Sequence, residues 1–185
     1  MSEEKLNYNI RELTKEVLLA EYLRDCVDIP RFLAYCRACP NFGSVWSCPP
    51  YDFDPMEVWK RYGSLRLYAR MLIPDWPGQD AEAALRALRK EKHKCLDILL
   101  AWEAKHPGTL ALAAGSCSLC TACTRPEGQP CRKPEQIRYS IESLGGDVAL
   151  TASRYFGFPL LWVKNGVLPD YLMLVGGLLL PSYRR

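Results

Sequence analysis

Leu65-Arg66-Leu67-Tyr68-Ala69-Arg70-Met71-Leu72-Ile73 alternates apolar side chains at 65, 67, 69 and 71 with Arg66, Tyr68 and Arg70. A period of two is that of a strand with one face on a core, so this run predicts a strand and a sheet around it. Downstream, Asp80 is placed to cap a long helix that carries Ala84, Leu85, Leu88, Cys95, Leu96, Leu99 and Trp102 toward one side, until Pro107-Gly108 stops it. Thr109 to Ala114 then reads as a short buried strand. Upstream, Leu6, Ile10, Leu13, Val17 and Tyr22 recur at helical spacing and predict a first helix to about Arg24, covering one sheet face. Phe32 to Tyr35, rich in aromatics, reads as a further strand. Toward the end, Pro134 opens a helix to about Leu144, Gly145-Gly146 breaks it, and a short helix follows from Asp147 to Tyr155. Leu160 to Val163, the turn pair Asn165-Gly166 and Leu172 to Leu180 read as a closing hairpin.

No repeat, low-complexity tract or linker interrupts the chain. The expectation is therefore one compact domain over 1–185, of α/β or α+β class, with a mixed sheet flanked by helices. Its 185 residues, 49% hydrophobic and 24% charged, are enough to bury a core. A net charge of +3, with both signs interspersed, argues against a nucleic-acid or anionic-membrane surface. The longest uncharged apolar stretch, Tyr171 to Pro181, is about half of the ~20 residues a membrane span needs. Ser2, Glu3, Glu4 and Lys5 open no secretory signal, so the expected compartment is the cytoplasm, where thiols start out reduced.

Nine cysteines then carry the argument. They make up about 5% of the chain, short of the ~8 to 10% of a disulfide scaffold, and they are bunched. Cys26, Cys36, Cys39 and Cys48 lie early, Cys95 stands alone, and Cys117, Cys120, Cys123 and Cys131 fall within fifteen residues. In a reducing compartment such bunches hold metal or do redox chemistry.

The later group, in a loop at about 115–134, runs Cys117-Ser-Leu-Cys120-Thr-Ala-Cys123, seven residues, then Cys131-Arg132-Lys133-Pro134. Three thiolates at steps of three cannot share one straight helix or strand face, but a loop curled around a polynuclear centre turns all three inward. Structural zinc more often takes two separated pairs, so the spacing favours an iron-sulfur cluster of the [4Fe-4S] kind, one or two per chain, with a four-thiolate zinc site as the alternative. Gly115, Ser116, Ser118, Thr121 and Ala122 are small enough for backbone N–H groups to approach the sulfides. Arg125, Arg132, Lys133 and Arg138, against Glu127 and Glu135, offset the cluster's charge.

The earlier group, at about 36–51, is Cys36-Arg-Ala-Cys39-Pro-Asn-Phe-Gly43-Ser-Val-Trp-Ser-Cys48-Pro-Pro-Tyr51. Gly43 permits a sharp turn and Pro49-Pro50 stiffens the exit. Cys26 is either a fourth ligand or a buried structural thiol at the end of the first helix. With three ligands only, one iron stays open. A rival arrangement pairs Cys36 and Cys39 with two later thiolates in one site. Trp46 and Tyr51 are placed to shield the first cluster.

The runs from Cys36 to Tyr51 and from Cys117 to Pro134, with Ser140-x-Glu142 and Asp147-Val148, resemble an uncharacterised family of predicted metal-binding proteins common in anaerobic bacteria and archaea. The likeness spans roughly residues 30 to 150. It implies seven metal-binding thiolates, Cys36, Cys39, Cys48, Cys117, Cys120, Cys123 and Cys131, leaving Cys26 and Cys95 outside. Ile141 stands where the family often has Met, and Gly146 where a branched residue is frequent.

Other residues read plainly. His93 and His106 belong to or flank a charged helix and read as solvated surface, which leaves no catalytic triad. No G-x-S-x-G, P-loop or dinucleotide fingerprint is present. Ser140 and Glu142 read as capping and surface groups more than as neighbours of a cluster-bound ligand. Three functions follow: an electron-transfer or redox-accessory protein serving a redox partner, an enzyme whose open iron acts as Lewis acid on a small-molecule substrate, or a zinc-stabilised interaction module.

Overall fold

The structure, a computed structural model, describes residues 7–75 and 81–182. Its centre is the strand β2 (Ser64–Pro74), which lies between β1 (Tyr8–Leu18) and β4 (Leu172–Leu180), while β3 (Leu110–Leu112) pairs with the far side of β4. All three pairings are antiparallel, so the class is α+β. The parallel component of the expected mixed sheet is confined to a single bridge, Ala113 to Ser140.

The alternation along β2 sorts the core into two layers. Leu65, Leu67 and Ala69 face Leu179 and Val175 of β4 and meet Tyr22, Trp59, Ile141, Leu144 and Val148 on one side of the sheet. On the other side, Tyr68 meets Leu174 and Leu178, and this face is covered by α4 (Ala81–Lys105) through Cys95, Leu99 and Trp102. The helix runs as expected to its stop near Pro107-Gly108; Asp80, the expected cap, lies outside the described residues. Burial of the polar-looking face requires partners for its charges. Glu91, 1% exposed, accepts from Tyr8 Oη at 2.9 Å, Arg70 Nε at 2.6 Å and Lys94 Nζ at 2.8 Å.

Residues 8–18 form β1, where a helix was expected. Their apolar positions coincide with a helical period, but Glu12 and Glu16 stand directly opposite Arg70 and Arg66, and those cross-strand charge pairs favour the strand. Helix begins only with α1 (Leu19–Cys26). Residues 32–35 are helical rather than extended, inside α2 (Ile29–Arg37), because Asp28 caps the Arg31 N–H at 3.1 Å and Pro30 suits the first turn. A similar Asp54 cap starts α3 (Pro55–Trp59).

The helix expected from Pro134 is reduced to turns and a 3-10 segment, Glu142–Leu144. Ser140 and Ser143 exchange side-chain and backbone hydrogen bonds, and the Ala113 N–H takes the Tyr139 carbonyl at 2.8 Å, so the backbone groups a helix would use are already engaged. The short helix after Asp147 is present as α5 (Val148–Thr151), extended by a π turn, Ala152–Phe156. Asn165-Gly166 does make a tight turn, with both residues at positive φ, but no strand precedes it at 160–163. Both edges of β4 are already taken by β2 and β3.

Candidate metal centre

The seven cysteines that the family resemblance implies as ligands lie on two loops beside the sheet. Cys36 occupies the last turn of α2, and the chain leaves it through a series of tight turns: the Cys39 N–H takes the Cys36 carbonyl at 3.0 Å, and the Phe42 N–H takes the Cys39 carbonyl at 3.0 Å. Gly43, at φ 68°, then turns its N–H onto the Pro49 carbonyl at 2.8 Å and brings Cys48 back beside the start of the loop. The thiols of Cys36, Cys39 and Cys48 lie within electrostatic reach of one another. Burial first, and then the neighbouring thiols, push Cys36 up and Cys48 up to about 11.

Loop two places Cys117, Cys120, Cys123 and Cys131 around one cavity, closed on one side by Val45 and Trp46 of loop one. Space not filled by protein atoms there amounts to about 380 Å³, part of it open to solvent. The Cys117 thiol is pushed up by burial and by the three other thiols, while the Leu119 N–H acts in the opposite direction. A second N–H, that of Lys133, reaches Cys131 Sγ at 3.4 Å.

The two loops are fastened to each other. Ser47, fully buried, accepts the Cys117 N–H at 2.8 Å, and its hydroxyl lies 3.9 Å from Cys48 Sγ. Asn41 Nδ2 donates to Ser116 Oγ at 3.2 Å, and Trp46 Nε1 donates to the Gln129 carbonyl at 3.1 Å. The Arg125 guanidinium donates to the carbonyls of Val45, at 2.8 Å, and of Cys48 and Pro50, and stacks over Trp46 at 5.3 Å. Its donors thus serve loop one rather than a cluster's sulfides. Arg138 is likewise committed elsewhere, to Glu103 on α4 at 2.9 Å. Arg132 and Lys133 do line the four-thiol cavity.

Cys26 and Cys95 stand apart from both groups. Cys26, the last residue of α1, is buried against Thr151 and Tyr155, and Cys95 is wholly buried under the sheet, its thiol pushed up to about 12 by burial. Trp46 covers the later group instead of the earlier one; Tyr51, whose hydroxyl donates to the Ser47 carbonyl at 2.7 Å, lines a cavity next to Cys36. Among the described residues no three His, Cys, Asp or Glu side chains converge closely enough to grip a bare ion. The four later thiols surround a space instead. Their donor chemistry suits soft or borderline metals and clusters.

A family model, that of the predicted metal-binding proteins DUF2284, matches residues 23–180. The chain belongs to this family. The match covers both cysteine loops and the strands β2, β3 and β4, and leaves β1 outside. No curated protein and no solved structure matches the chain.

For this member of the family, three residues near the loops escape a reading by sequence. His93 is exposed on α4, yet its Nε2 lies 3.0 Å from the Ser118 carbonyl and 3.1 Å from Ser118 Oγ, holding loop two to the helix. Lys92, one residue before it, is partly buried; burial pushes its ammonium down, and Cys117, Glu142 and Cys48 pull it back up. It therefore lies between the two thiol groups. Glu142, expected as a surface group, is partly buried, and its carboxyl is pushed up by burial against the opposing pull of Ser140 and Lys92. Its Oε2 is shielded from solvent. The signal for all three is tertiary: the α4 helix passes beside both loops.

Proposed function

We propose that the chain is an iron-sulfur protein that works in electron transfer, as a redox accessory to a partner protein, with a [4Fe-4S] cluster held by Cys117, Cys120, Cys123 and Cys131. The observation that carries this is the cavity shared by these four thiols. Three thiols at steps of three with a fourth beside them on the same cavity suit a polynuclear group better than the two separated pairs usual for structural zinc. When bound, such a cluster takes up and releases one electron at a potential set by nearby charge and hydrogen bonds.

The chain's own residues fit that task. The N–H groups of Leu119 and Lys133 face Cys117 and Cys131, and Lys92, Arg132 and Lys133 bring positive charge to the site. Both effects favour the more negative, reduced state and raise the potential. Val45 and Trp46 keep water from one side of the cavity. Cys36, Cys39 and Cys48 hold a second centre. This reading goes with a reducing compartment such as the cytoplasm.

Replacing Cys120 by Ala tests the assignment. In protein prepared without oxygen it removes one cluster's worth of iron and one reversible one-electron signal, and it lowers stability because metal binding is coupled to folding. Cys95→Ala leaves iron content unchanged. Equal iron loss in the two variants overturns the ligand assignment.

A second reading has one observation in its favour: a cavity beside Cys36, walled by Phe42, Tyr51 and Phe53. It would suit an enzyme that uses an open metal position at the three-cysteine centre as Lewis acid on a small molecule.

A further inference from the structure

Among the described residues, Glu142 Oε2 is the one buried side-chain nitrogen or oxygen without a hydrogen-bond partner. A carboxylate oxygen withdrawn from water and left unpaired is costly, and folded proteins keep such an atom when something absent from the protein chain itself satisfies it. The surroundings of Glu142 indicate what that is. The side chain lines the same cavity as Cys36, Phe42 and Tyr51, and its charge is felt by the Cys36 thiol. Lys92, which also feels Cys48 and Cys117, feels it too. Glu142 and Cys36 thus line one cavity, Cys39 lies within electrostatic reach of Cys36, and Lys92 within reach of both Glu142 and Cys48.

The direction of the side chain is fixed by the fold. Glu142 opens the 3-10 segment that Ser140 and Ser143 clamp by mutual hydrogen bonds. The same segment ends at Gly145, where φ is 90° and a Cβ would come within 2.7 Å of the Ile29 backbone, so α2 and its Cys36 are pressed onto this turn. Cys26, the other candidate for a fourth ligand, is held away by Thr151 and Tyr155.

We propose that Glu142 supplies, through Oε2, the fourth protein ligand of the metal centre at Cys36, Cys39 and Cys48. This rests on the reading of those three cysteines as metal ligands, and it leaves the kind of metal open. A carboxylate oxygen is an ordinary ligand of zinc and of iron alongside thiolates. Lys92 offsets the negative charge that three thiolates and a carboxylate bring together. The centre is then closed by a weaker, harder ligand than cysteine, one that a strong competitor displaces more readily.

The test uses the full chain prepared without oxygen, as wild type, Glu142→Gln and Glu142→Cys, each checked for folding by circular dichroism. Iron, sulfide and zinc are counted, and the reduced proteins are examined by electron paramagnetic resonance with and without cyanide. The expected result is that Glu142→Gln, which keeps shape but loses the anionic oxygen, changes one of two signals and makes it respond to cyanide at a concentration at least tenfold lower than in wild type. Glu142→Cys gives a new signal that does not respond. The signal that depends on Cys120 is the same in all three. If the protein holds zinc and no sulfide, the iron-sulfur reading falls, while Glu142 is still judged by zinc: an affinity at the Cys36 centre weakened tenfold or more in Glu142→Gln supports the ligand role. Unchanged spectra and cyanide response, or unchanged zinc affinity, overturn it. So does a wild type that already responds to cyanide as strongly as Glu142→Gln, since that corner is then open and the Lewis-acid reading gains. A chain that binds no metal through Cys36, Cys39 and Cys48 overturns it as well.

Discussion

Arg125 decides how the two loops sit relative to each other, because its three guanidinium bonds all go to backbone carbonyls of the opposite loop, at Val45, Cys48 and Pro50. Charge-assisted bonds of this kind are worth about 1.5–3 kcal/mol each when lost singly, less when lost together. Arg125→Ala is therefore expected to destabilise the protein by about 2 kcal/mol and to speed metal loss from both centres to a chelator, as followed by chemical denaturation and by the rate of bleaching. Bleaching confined to one centre would mean that the loops are independent. At this scale, spacing marks the bunched cysteines, above all the C-x2-C-x2-C run from Cys117 to Cys123, and sets Cys95 apart, while the choice of seven ligands that leaves out Cys26 comes from the family resemblance. Ser47, Lys92, His93 and Glu142 escape it, because each owes its role to a contact made across dozens of residues, such as the Cys117 N–H on Ser47. A serine, a lysine or a glutamate carries no sign in the sequence that it will be buried.

Among the elements, α4 and β2 are linked by the buried Glu91–Arg70 pair, Arg70 also reaching Glu12 on β1. The pairing and hydrogen bonds hold the Glu91 carboxyl below its usual value of 4.5, in spite of burial, which acts in the opposite direction. A lowered pKa in the fold means that the stabilisation is fully present above about pH 4.5 and is lost as pH falls through the lower folded value. Glu91→Gln leaves Arg70 short of a partner and is expected to cost about 3 kcal/mol at pH 7. The gap between wild type and variant should close in acid; a gap independent of pH between 3 and 7, measured by denaturant titration, would contradict the assignment. A second element-scale joint is Gly145 against Ile29. Gly145→Ala combines a positive φ with a clash at the start of α2 and is expected to cost about 3 kcal/mol, or roughly 6–12 °C in melting temperature. Elements with one strong period, β2 and α4, are legible in the sequence. Those decided by a partner are not: β1 has the spacing of a helix and becomes a strand because Glu12 and Glu16 meet Arg70 and Arg66 on β2. Residues 32–35 are helical for another reason, since the Asp28-x-Pro30 capping signal outweighs the strand preference of aromatic side chains.

In the whole molecule, one sheet face is given to α4 and the other to α1, α5 and the Glu142 turn, and Lys92 of α4 lies within electrostatic reach of Cys48 in loop one and Cys117 in loop two. Glu142, in the opposite layer, is within electrostatic reach of Cys36, and Cys26 and Cys95 stay in the core. The central claim is that the later loop holds an iron-sulfur cluster, and elemental analysis tests it most directly. Protein made under iron-replete, oxygen-free conditions is predicted to be brown, with iron and acid-labile sulfide in near-equal amounts and no stoichiometric zinc. Stoichiometric zinc without sulfide in the same preparation would contradict it.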